Sequence, residues 1–137
     1  KQKEDEIITE DSNSNRITMN SDGILTEDTN GNTTTMDSNG IITEDSNSNR
    51  ITMDSAGTLI EDSNGNTTTM DSSGVITEDA NTNTITMSST GTVVQDSNGN
   101  TITMDSVGIE LEDLSSNTVT LSATGVAING TNLEVLP

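Results

Sequence analysis

Apolar and polar positions recur along this chain with a fixed period of 17 residues. Met19, Met36, Met53, Met70, Met87 and Met104 are equally spaced, with Leu121 in the seventh slot. Gly23, Gly40, Gly57, Gly74, Gly91, Gly108 and Gly125 keep the same interval. One repeat reads GIITEDSNSNRITMDSA from Gly40. It predicts two short strands, Ile41–Glu44 and Arg50–Asp54, because both are rich in β-branched residues and too short for a helix. Asp45–Asn49 and Ser55–Gly57 read as turns, since Asn, Asp, Ser and Gly either tolerate positive φ or bond their own backbone. The turn chemistry alternates over 34 residues: Gly31, Gly65 and Gly99 occupy a slot that otherwise holds Ser14, Ser48, Thr82 or Ser116. The expectation is that neighbouring turns differ in backbone conformation and only every second one needs glycine.

The spacing also assigns faces. In the second strand of each repeat a Met or Leu follows two residues after an Ile, Thr or Val, as in Ile17 and Met19, Thr34 and Met36, Ile51 and Met53, and Val119 and Leu121, so the two lie on one side. We read that side as core: Met19, Met36, Met53, Met70, Met87, Met104 and Leu121, with Ile17, Ile51, Ile85, Ile102 and Val119. The intervening Thr18, Thr35, Thr52, Thr69, Thr86, Thr103 and Thr120 face out, beside Asp37, Asp54, Asp71 and Asp105. In the first strand the second position after the glycine holds Leu25, Ile42, Leu59, Ile76 and Val93, but then Glu110. A buried unpaired carboxylate is costly, so Glu110 turns this position outward and positions one and three inward.

A period kept over a whole chain means one supersecondary unit stacked many times. That changes the meaning of the composition. The chain has 137 residues, 27% hydrophobic, no Phe, Trp or Tyr, and a formal net charge of −19, which alone would suggest disorder. Disordered acidic tracts have no reason to hold Met, Gly and Thr in register. The charge argues against nucleic acid as a partner. With no Cys and no His, zinc and similar metals lose their usual ligands. The acidic rows, Glu27 to Glu112 and Asp28 to Asp113, could offer oxygen to calcium, but a solvated face that keeps the protein soluble is the preferred reading. The outward Thr rows are similar to the surface of some ice-binding proteins, an idea weakened by the neighbouring Asp. No catalytic residue, cofactor site or metal site is expected.

Short strands, alternate-corner glycines and the absence of helix resemble the β-helical shaft of the central spike proteins of contractile phage tails and their type VI secretion relatives, the VgrG spikes. The resemblance runs from about Ile7 to the end. It implies an all-β, intertwined triple-stranded β-helix, or β-prism, built as a homotrimer from 17-residue two-strand repeats. The implied divisions are 1–6, a remnant of an N-terminal linker of a longer protein; 7–125, the shaft; and 126–137, a tip or cap. The corner glycines would be Gly23, Gly40, Gly57, Gly74, Gly91, Gly108 and Gly125. Apolar residues cluster at Val126, Ile128, Leu133, Val135 and Leu136, which either cap the end or form a platform that could dock a PAAR-like tip protein. The His-x-His iron site of part of the family has no counterpart in a chain without His. The resemblance implies a structural role in piercing a bacterial outer membrane, at the tip of the tail baseplate of a virion. The alternatives are a monomeric β-solenoid that binds ice or divalent cations, and a receptor-binding fibre fragment.

Overall fold

The computed structural model describes residues 5–129, and every regular element among them is a β-strand. The chain divides into two units, Lys1–Ser72 and Ser73–Pro137. The first holds β1 (Glu6–Glu10), β2 (Arg16–Asn20), β3 (Gly23–Glu27), β4 (Thr33–Asp37), β5 (Gly40–Glu44), β6 (Arg50–Met53), β7 (Gly57–Glu61) and β8 (Thr67–Asp71). The second holds β9 (Gly74–Glu78), β10 (Thr84–Ser88), β11 (Gly91–Gln95), β12 (Thr101–Asp105), β13 (Gly108–Glu112), β14 (Thr118–Ser122) and β15 (Gly125–Ile128). Within each unit every strand pairs antiparallel with its sequence neighbour, so each unit is a meander. The seven corner glycines each open a strand: β3, β5, β7, β9, β11, β13 and β15. The last of these strands runs past Gly125 and pairs Val126 with Leu121 and Ile128 with Val119.

Two kinds of connection alternate. The short one, such as Ser55–Ala56 between β6 and β7, closes by a reciprocal pair: Asp54 N–H donates to Gly57 O (3.0 Å) and Gly57 N–H to Asp54 O (3.3 Å). The Asp54 carboxylate accepts from Ala56 N–H at 2.7 Å, and Asp37 and Asp105 cap their own hairpins the same way. A positive φ falls on the glycine that opens the next strand, as at Gly40 with φ 138°. A Cβ there would collide with the Met53 carbonyl oxygen, so two constraints select glycine.

The longer connection, Asp45–Asn49, is a turn closed by Ser48 N–H to Asp45 O and Asp45 N–H to Asn49 O, both 3.0 Å. Here the expected alternation fails. Ser14, Ser48 and Thr82 have φ 66° and Ser116 has φ 61°; Gly31, Gly65 and Gly99 lie at 83–90°. All seven loops therefore use the left-handed region at this slot, whichever residue occupies it. The reason is that side chains outside the slot fix the loop, as the next section describes.

Antiparallel register puts directly opposed residues on one face. Ile41 opposes Met53 and Thr43 opposes Ile51, whereas Ile42 opposes Thr52. Positions one and three of the first strand thus share the Met face, and position two shares the Thr face. Among the described residues no hydrophobic side chain is buried; the one buried side chain is Thr18, on the Thr face. Among the described residues each unit is a set of paired strands with neither face covered by another layer of the same unit.

Candidate assembly surface

The Met face is built by the alternation itself. In the first unit it carries Met19, Met36, Met53 and Met70 in one row, opposed by Ile7, Ile24, Ile41 and Thr58. Beside that row run Thr9, Ile17, Thr26, Thr34, Thr43, Ile51, Ile60 and Thr68. In the second unit Met87, Met104 and Leu121 lie in one row. The other begins at Thr77 and continues through Ile85, Val94, Ile102, Leu111, Val119 and Ile128. No acidic or basic residue stands on these rows, in a chain with 23 Asp and Glu. The sequence-derived core residues are all here, but half-exposed: Met19 is 37% exposed, Met87 46% and Ile85 44%. Among the described residues no second layer lies over these side chains, and covering each would contribute roughly 1–3 kcal/mol. In the second unit the row Val94, Ile102, Leu111, Val119, Ile128 floors an open groove of about 490 Å³.

The opposite face differs in kind. Its middle row alternates Thr with Leu or Ile, as in Thr18–Leu25–Thr35–Ile42–Thr52–Leu59. Charged residues flank that row. The register sets Arg50 between Glu44 and Glu61, and Arg16 between Glu10 and Glu27.

Along one margin of each unit lie the Asp–Asn loops, whose role the sequence reading missed. Asp45 Oδ1 accepts from the Asn47 and Asn49 backbone N–H groups, both at 2.9 Å. Its Oδ2 accepts from Asn49 Nδ2 at 2.8 Å. The Asn49 Oδ1 in turn accepts from Ser63 N–H of the next loop at 3.2 Å. The same link runs from Asn32 to Ser46 (3.1 Å), Asn83 to Ser97 (2.9 Å) and Asn100 to Leu114 (3.0 Å). Asn129, just after β15, joins the series differently: its Oδ1 accepts from Thr118 N–H and its Nδ2 donates to Asn117. The signal was present as Asp-x-Asn-x-Asn every 17 residues, with Ser replacing the middle Asn after Asp113. Side-chain amide donation by the last Asn, then the backbone N–H bonds, holds Asp11, Asp28, Asp45, Asp79, Asp96 and Asp113 below the ordinary carboxyl range. Asp62, bonded by Asn66 and Asn64, is lowered to about 2. These carboxylates are occupied as turn acceptors, and among the described residues no group of three or more acidic side chains converges as a metal cage would require.

The remaining tip residues divide. Val126 is 61% exposed and Ile128 is half-buried. Leu133, Val135 and Leu136 lie outside the described residues. Exposed apolar residues also appear in the loops near this end, at Val107 and Leu114, where earlier repeats carry Asp, Asn, Ser, Thr or Ala.

The fold is that of an all-β repeat protein, with fifteen antiparallel strands among the described residues. No protein-family model matches the chain, and neither a curated protein nor a solved structure matches it.

Proposed function

We propose that this chain is the shaft of a homotrimeric, membrane-piercing spike of a contractile phage tail. The observation that carries the reading is an uncharged apolar face present in every repeat of a chain of net charge −19 that has no buried apolar core among its described residues. A single chain has little to offset backbone entropy. Three chains wound about one axis as a β-prism turn their Met and Ile rows inward and share one core. If the strands intertwine, a neighbouring chain supplies the pairing partner that this chain's own strand supplies here. The face turned inward is unchanged, because strand alternation sets it.

The work of such a shaft is mechanical. Strands laid across the axis, hydrogen-bonded layer to layer, carry axial load without an edge to peel. The acidic loops and Glu rows stay outside, where they limit adhesion to anionic lipid headgroups during passage through an outer membrane. The glycine corners let the chain turn tightly at every second connection. Val126 and Ile128 lie towards the end that a PAAR-like tip protein would cover.

Light-scattering mass with small-angle scattering tests the reading. The expected result is three chains in a rod near ~75 Å long, one strand layer per ~4.8 Å. A monomer would overturn it and favour a solitary module that binds ice or divalent cations.

A further inference from the structure

A repeating interface has a registration problem. The Met face is nearly the same after every 17 residues, so copies packed face to face could slip by one repeat, two strands or ~9.5 Å, and still bury Met against Ile. The row beside the methionines carries landmarks that break this degeneracy. In the first unit it reads Thr9 and Ile17, then Thr26, Thr34 and Thr43, then Ile51, Ile60 and Thr68. Thr34 and Thr43 face each other across β4 and β5, and their hydroxyls bond at 3.3 Å. In the second unit the row starts with Thr77, and its positions from Ile85 to Ile128 are apolar throughout.

We infer that the threonines of this row, centred on the Thr26–Thr34–Thr43 patch, are the register key between copies of this chain. The inference rests on the assembly proposed above. The occupant of this face is another copy for two reasons. Only a chain with the same repeat matches the face over its length. And copies this acidic repel one another everywhere except at a face without charge. A hydroxyl has one donor and two acceptor sites, so the single Thr34–Thr43 bond leaves one donor over. In register, the same patch from each neighbouring copy meets at one level and completes the hydroxyl bonding. Slipped by one repeat, Thr34 meets Ile51 and Thr43 meets Ile60, and desolvated hydroxyls face apolar surface. Slipped by two, Thr26 meets Ile60, so a hydroxyl again faces apolar surface. A polar contact in an apolar seam gives up some stability to select one alignment, as a buried Asn does in coiled coils.

The chain has no Cys, so introduced thiols report register directly. Met53→Cys and Met70→Cys chains carry their thiols one repeat apart. They are mixed, assembled and mildly oxidised, with the native threonines or with Thr26, Thr34, Thr43, Thr68 and Thr77 all replaced by the isosteric valine. With the native threonines, disulfides join like chains, Met53→Cys to Met53→Cys and Met70→Cys to Met70→Cys, and mixed disulfides between the two kinds stay at trace level. With the valines, mixed disulfides rise at least ~tenfold while the assembly keeps its mass. Mixed disulfides that stay at trace level in the valine chains would overturn the register key and leave the trimer standing. Monomeric mass with no cross-links would overturn both.

Discussion

At the residue scale, the loops force a conformation that their sequence does not favour. Thr82 is β-branched and sits at φ 66°, a region such residues avoid. The neighbouring repeats use Gly65 and Gly99 at the same slot. Thr82→Gly is therefore expected to stabilise the protein by about 0.5–1 kcal/mol, the relief of strain outweighing the added freedom of the unfolded chain. The check is the denaturant midpoint at an unchanged slope. The loop carboxylates give a second prediction, with a definite sign. Their folded pKa values lie below the ordinary 3.8, so their contribution to stability is present in full above that value. It is lost as pH falls, for Asp62 between about 4 and about 2. A carboxyl-carbon NMR titration should place Asp62 near about 2. Asn66→Ala should move it back towards the ordinary value, and an unmoved midpoint would contradict the hydrogen-bond origin.

At the scale of elements, a repeat consists of two five-residue strands, a five-residue loop and a two-residue hairpin, and the hairpin leaves the least freedom. Gly40→Ala combines a φ of 138° with a clash against the Met53 carbonyl. It should cost about 2–3 kcal/mol, read by thermal or chemical melting of the assembled protein. A cost below about 0.5 kcal/mol would mean that the hairpin can re-form around a side chain. The Asn ladder acts between elements in a different way. Within each unit an Asn such as Asn32, Asn49 or Asn83 holds the Asp of its own loop and receives an N–H from the next, so these loops are tied in series.

At the scale of the whole molecule, the apolar face and the charge oppose each other. In the proposed trimer three chains of −19 would bring −57 together, so assembly should strengthen as salt screens the repulsion. Sedimentation at about 0.02 and 0.5 M NaCl should show the trimer fraction rising, and a flat response would place the charges too far apart to matter. Met36→Asp puts a carboxylate on the uncharged face, and its expected outcome is loss of the trimer with a mass of one chain. If Met36→Asp assembled and melted like the parent, the face assignment would be wrong.

The sequence by itself determined what is local. Five-residue β-branched runs punctuated by Asp, Asn, Ser and Gly had one outcome, strands and tight turns, because those preferences act within a few residues. Strand alternation, which is strictly two, then sorted Met36 and Ile41 to one face and Thr35 and Ile42 to the other, and Glu110 identified which face tolerates charge. Tertiary structure decided the rest. Ser48 adopts the left-handed conformation because Asp45 and Asn49, tied to the next loop through Ser63, outweigh its own preference. That bond reaches 14 residues along the chain, beyond what a single turn reveals. The Met and Ile rows read from spacing as a core, yet in the folded chain they remain half-exposed. A period of two fixes which residues share a side, while what covers that side depends on surfaces that a lone meander does not bring together.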